Sequence, residues 1–85
     1  MDIGDLRKSI DNIDEKLLSL FLERMNIAEQ VAQYKRDRGL PLTDRSRERE
    51  ILSCITGRAP GYEQYAYSLF SMLIEMSKAR QAQLN

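Results

Sequence analysis

The sequence predicts an all-α fold: three helices, one very long, one short and one of medium length, forming an intertwined homodimer. Three observations predict it. Apolar residues recur at steps of three and four along most of the chain, and no stretch alternates with period two. Beyond Gly4, every glycine and proline falls in two short segments, 39–41 and 57–61, which separate the helical patterns. The third observation is length. A first helix over about 5–38 would run about 50 Å at the α-helical rise, whereas a compact chain of 85 residues has a diameter of roughly 30 Å. Such a helix overshoots its own domain, and its overhanging apolar stripe needs cover. A kinked or frayed helix is one answer; a second copy of the chain packed around it is the better one.

Helix 1, about Asp5–Arg38, carries Leu6, Ile10, Ile13, Leu17, Phe21, Ala28, Val31 and Ala32 at helical spacing with no interior glycine or proline. Gly39 and then Pro41 end it in the order expected of a C-terminus. Thr43 or Asp44 can cap helix 2, about 44–56, whose Ile51, Leu52 and Ile55 lead to a stop at Gly57. Pro60-Gly61 is a turn. Helix 3, about 62–84, sets Leu69, Phe70, Leu73, Ile74, Ser77, Gln81 and Leu84 on one face.

Composition removes several function classes. Thirteen basic residues balance thirteen acidic ones, so there is no general attraction to nucleic acid or to a membrane surface. Histidine, the usual proton shuttle near neutrality, is absent. The one cysteine, Cys54, excludes an internal disulfide and a cysteine-built metal site; it is expected to be a small buried hydrophobe and fits a reducing compartment. No apolar run approaches the ~20 residues of a membrane span, and the N-terminus does not read as a signal peptide, so a cytoplasmic protein is expected. No metal constellation, nucleophile–base pair or glycine-rich phosphate loop is present.

The informative residues are polar side chains set where the pattern asks for apolar ones. Arg24 and Lys35 lie on the apolar stripe of helix 1, eleven residues apart, and so point within roughly 20° of each other. A charge on a core-facing stripe is costly unless it is paired. On helix 3, Ser77 and Gln81 continue the line of Phe70 and Leu73, and on helix 2 Asp44, Arg47 and Glu48 lead onto Ile51 and Ile55. Each has an ordinary reading taken singly: a snorkelling cation, an N-cap, a solvated surface pair, an interhelical hydrogen bond. Together they place polar groups from all three helices toward one interior. Arg7 sits about 25 Å from Arg24 along the axis and roughly 100° around it, so within one straight helix the two cannot meet at a small ligand. In a dimer with antiparallel long helices, Arg7 of one chain can reach the other chain's cluster; otherwise it is surface charge. Several cations with neutral donors suit a small molecule bearing two carboxylates. Catalysis there would work by holding a conformation and stabilising developing charge, as a pericyclic rearrangement requires.

These residues also match a known pattern. LRKSIDNIDEKLLSLFLERMNIAEQVAQYK, GLPLTDRSREREIL and LFSMLIEMSKARQAQL, in that order and over essentially the whole chain, resemble the three helices of the all-α class of chorismate mutase of bacterial type. The resemblance implies a homodimer whose two sites are shared between chains, and conversion of chorismate to prephenate in phenylalanine and tyrosine biosynthesis without a cofactor or metal. It implies that Arg24 binds one substrate carboxylate and Arg7 from the partner chain the other. Lys35 would contact a carboxylate and the ether oxygen, and Gln81 would donate to that same oxygen. Glu48 and the Asp44 backbone N–H would hold the hydroxyl, Ser77 would touch a carboxylate, and Arg47 would help from the edge. Val31, Ile51 and Ile74 resemble the apolar walls. Departures are few: the loop from Gly57 to Gly61 is short, and position 81 is Gln, as in some members, where others have Glu. Members occur free-standing or fused to a prephenate-processing partner.

Two other classes of function stand beside this one. A non-catalytic helical module for dimerisation, or for regulatory binding of an aromatic amino acid, would use the polar positions for register or for a ligand. Nucleic-acid binding through Lys35, Arg36, Arg38, Arg45, Arg47 and Arg49 is weakened by the interleaved Asp37, Asp44 and Glu48.

Overall fold

A computed structural model describes residues 1–84 as three helices, α1 (Ile3–Arg38), α2 (Arg45–Gly57) and α3 (Glu63–Leu84), with no strand among the described residues. Helix α1 starts at Ile3 because Asp2 caps it: the Asp2 carboxylate accepts from the Asp5 N–H at 2.8 Å, and Asp5 returns the bond to the Asp2 N–H. It ends at Gly39, whose φ of 65° is in the left-handed region that a residue with a Cβ enters at a cost. There the Leu40 N–H turns back to the Lys35 carbonyl at 2.8 Å and closes the last turn.

Helix α3 organises the protomer. It packs against both α1 and α2, while α1 and α2 do not pack on each other. The α1–α3 seam is built on small residues: Ala28 and Ala32 are buried, Ala32 almost completely, which lets the two backbones approach closely. Arg80 reaches from α3 to Glu29 on α1 at 2.8 Å, and the Arg36 guanidinium donates to the Leu84 carbonyl at 2.9 Å. Across that seam α3 presents Ile74, Ser77 and Gln81, all buried.

Little else is covered. Ala28, Ala32 and Ile74 are the only buried apolar residues, and no large side chain is fully enclosed, among the described residues. Leu6, Ile10, Ile13 and Leu17, the whole apolar stripe of the first half of α1, are about half exposed or more. The protomer extends 54 Å along its longest axis, with a radius of gyration of 16.0 Å. Its accessible surface is 6826 Å², against about 5,200 Å² for a compact monomer of 9.9 kDa. Two expectations need correction here. Cys54 is exposed, because the face of α2 turned to α3 is Glu48, Ile51, Leu52 and Ile55, and position 54 falls off that stripe. Leu69 is exposed as well; the covered face of α3 begins at Phe70 and continues through Leu73 and Ile74.

The tight alanine seam is testable. Ala32→Leu should wedge α1 from α3 and lower the unfolding free energy by about 1–3 kcal/mol, read as a lower urea midpoint at unchanged m-value.

Candidate active site

Because α1 and α2 both rest on α3 without touching each other, a cleft is left between them with α3 as its floor. Its volume is about 300 Å³, at the lower end for small-ligand sites. Each helix feeds it at the same spacing. From α1 come Arg24, Ala28, Val31 and Lys35; from α2 and its cap come Asp44, Arg47, Glu48 and Ile51; from α3 come Ile74, Ser77, Lys78 and Gln81. Steps of three and four keep each set on one side of its helix, so a single cavity collects all three sets. Val31, Ile51 and Ile74 supply apolar surface from three directions.

The two cations of α1 are held differently. The Arg24 guanidinium donates to Ser77 Oγ at 2.5 Å and, more weakly, to the Leu73 carbonyl at 3.4 Å, which pins it to α3. Lys35 donates from Nζ to the Leu42 carbonyl at 2.7 Å and so anchors the loop between α1 and α2. All these acceptors are neutral. Among the described residues neither Arg24 nor Lys35 pairs with a carboxylate, whereas Arg47, Lys78 and Arg80 each do. Two unneutralised cations facing one half-buried cleft make a local positive field in a chain of zero net charge.

The remaining groups tune that field. Asp44 caps α2, its Oδ1 accepting from the Arg47 N–H at 3.0 Å, and lines the cleft at that end of the helix. Arg47 is mostly exposed at the rim and pairs outward with Glu50 at 2.6 Å. Glu48 points inward, where Lys78 meets it at 3.2 Å. Hydrogen bonds from Lys78 to Glu75 first, and to Glu48 second, raise the Lys78 pKa above its ordinary value of 10.5. Gln81 is 6% exposed, and its buried Oε1 has no hydrogen-bond partner. A buried amide oxygen without a partner is uncommon in a finished core.

Of the residues singled out in the sequence, Arg24, Lys35, Asp44, Arg47, Glu48, Ser77, Gln81 and the three wall residues come together in this cleft. Arg7 does not; it stands on the exposed first half of α1. The structure adds Ile27, Ala28, Leu42 and Lys78 to the lining. Lys78 was legible in principle, lying four residues after Ile74 and three before Gln81, but a lysine beside Ser77 reads as solvated surface. Leu42 lies in a loop, where no periodicity marks it. Among the described residues no group of three or more His, Cys, Asp or Glu side chains is placed to hold a metal ion, and no helix is long and apolar enough to cross a membrane.

Comparison with known proteins points the same way. The family profile described as chorismate mutase type II matches residues 6–82. The chorismate mutase of Methanocaldococcus jannaschii is 37% identical over 84 residues, covering 95% of this chain and 85% of that protein. The bifunctional chorismate mutase/prephenate dehydratase of Escherichia coli K12 is 37% identical over 82 residues, which is 93% of this chain and 21% of that protein. A 3-dehydroquinate dehydratase of Pyrobaculum aerophilum is 32% identical over 76 residues, or 23% of its length. The chain therefore spans most of the Methanocaldococcus relative and about a fifth of the other two.

Gln81 offers a check that needs no ligand. Gln81→Met keeps the volume and removes the orphaned carbonyl, so it should raise the unfolding free energy by about 1 kcal/mol, measured by chemical denaturation.

Proposed function

This chain belongs to the chorismate mutase type II family and isomerises chorismate to prephenate in aromatic amino-acid biosynthesis, and we propose that the cleft between its three helices is where it does so. The observation that carries this reading is the pair Arg24 and Lys35, facing one cavity without a carboxylate partner. Chorismate is a dicarboxylate. In the rearrangement its ether C–O bond breaks as a C–C bond forms, and no atom enters or leaves. The chain need only hold the reactive conformer and meet the charge that grows on the ether oxygen.

The roles divide accordingly. Arg24 binds one carboxylate, its guanidinium already oriented by Ser77, and the Ser77 hydroxyl keeps its proton for the ligand. Lys35 reaches a carboxylate and the ether oxygen, trading the Leu42 carbonyl for a stronger, charge-assisted partner. The Gln81 amide donates to the same oxygen; being neutral, it donates at any pH. Glu48 and the Asp44 backbone N–H hold the hydroxyl, and Arg47 adds positive potential from the rim. Val31, Ile51 and Ile74 press the substrate into its folded shape.

The second carboxylate needs Arg7 of a partner subunit. The exposed surface supports one: each protomer exposes roughly 1,600 Å² more than a compact chain of its mass, and two copies hiding that excess would bury about 3,200 Å² in total, within the range of obligate homodimers. The uncovered stripe of α1 and Arg7 share the same half of the helix, so one association covers the first and delivers the second. The single cysteine suits a cytoplasmic setting.

Purified protein should consume chorismate, followed by its absorbance, with a rate flat within about twofold from about pH 5.5 to about pH 8 because the Gln81 amide that donates to the ether oxygen has no ionisable proton. Lys35→Ala should lower kcat by about 10³ at unchanged helicity; a variant with most of its rate would mean the site lies elsewhere. Sharing is checked by subunit exchange. Arg7→Ala and Lys35→Ala chains, each nearly inactive, should recover about a quarter of full activity on 1:1 mixing, since half the dimers then hold one intact site of two.

A further inference from the structure

Glu48 is a liability in a site made for a dianion. It enters the cleft from α2 opposite two cations that have no carboxylate of their own. Left free, it would pair with Lys35 or Arg24, neutralise the charge meant for the ligand, and repel the ligand's carboxylates. Lys78 stands where it prevents this. Its Nζ lies 3.2 Å from Glu48 Oε2 and 3.5 Å from Oε1, so both carboxylate oxygens are engaged from the α3 side. The ammonium is held from behind by Glu75, one turn back, at 3.1 Å. Lys78 and Glu48 are each about a quarter exposed, and theirs is the only ion pair joining α2 to α3 among the described residues.

We propose that Lys78 is a positioning residue: it holds the Glu48 carboxylate against α3, off Arg24 and Lys35, so that these two stay available to a dicarboxylate ligand. It touches no reacting atom and acts through Glu48. Glu75 and Glu48 both favour its charged form, so the clamp stays set throughout the neutral range. Electrostatic selectivity in this cleft then rests on a cation that is already paired, which is why no count of free charges reveals it. The inference rests on the mutase reading for its substrate.

A double-mutant cycle tests it. Lys78→Met keeps the apolar stem and removes the charge; it should raise KM for chorismate about tenfold with kcat changed less than about threefold, because ground-state and transition-state dianions are repelled alike. Lys78→Arg should restore most of the affinity. In a Glu48→Gln background, itself slower, the further effect of Lys78→Met on KM should fall below about twofold, since no carboxylate is left to divert. An equal KM penalty in both backgrounds, or none in either, overturns the proposal, as would a loss confined to kcat or to folding stability. Turnover-independent support comes from the rise in melting temperature caused by succinate, a simple dicarboxylate: lost in Lys78→Met, regained in Lys78→Met/Glu48→Gln. If the unmodified protein does not consume chorismate, the mutase reading fails by itself, and the succinate shift still decides the role of Lys78: retention in Lys78→Met overturns it.

Discussion

A helix of 36 residues in a chain of 85 cannot bury its own apolar stripe, and the rest of the architecture follows from that mismatch. Only the second half of α1 has a neighbour, α3, and the contact there is made by alanines. The short helix α2 settles on α3 from the other side without reaching α1. The cleft is the space left between two helices that share a floor. A shorter α1 could fold back onto its own domain, but it would leave nothing exposed to recruit the second copy we propose, and no route by which Arg7 joins the site.

Electrostatics in the cleft follows from which cations are paired and which are not. Exposed pairs such as Arg47–Glu50 contribute little to stability. Arg24 and Lys35 are given only neutral acceptors, which orient them without neutralising them. Gln81, buried with its carbonyl unpaired, is a further local cost at the cleft. The pocket is organised on α3, where Ser77 accepts from Arg24 and Lys78 pairs with Glu48.

Much of this was visible along the chain because helices translate spacing into direction so simply. Gly39 and the absence of breakers before it located the end of α1, and the left-handed φ at Gly39 is the physical cause of that end. Polar residues on apolar stripes marked the cleft for the same reason: at 3.6 residues per turn, Arg24, Val31 and Lys35 must share a side. The misreadings have an equally plain origin. Cys54 reads as a small buried hydrophobe by residue type, and Leu69 shares a face with Phe70 and Leu73 by spacing, but the stripe each helix covers in the protomer is narrower than its run of apolar residues. Lys78 carries no mark in the sequence, because a paired cation and a solvated one look identical there.

By itself, then, the amino-acid order determined three helices, their breaks, the inward side of each and the family to which the pattern belongs, because these depend on contacts within a few residues along the chain. Only the tertiary structure decided which inward-facing charges are neutralised. Arg24 meeting Ser77, and Lys78 meeting Glu48, join residues 53 and 30 positions apart, and such pairings depend on how α1 and α2 are seated on α3. That seating comes from close packing at Ala28, Ala32 and Ile74, and no local periodicity encodes it.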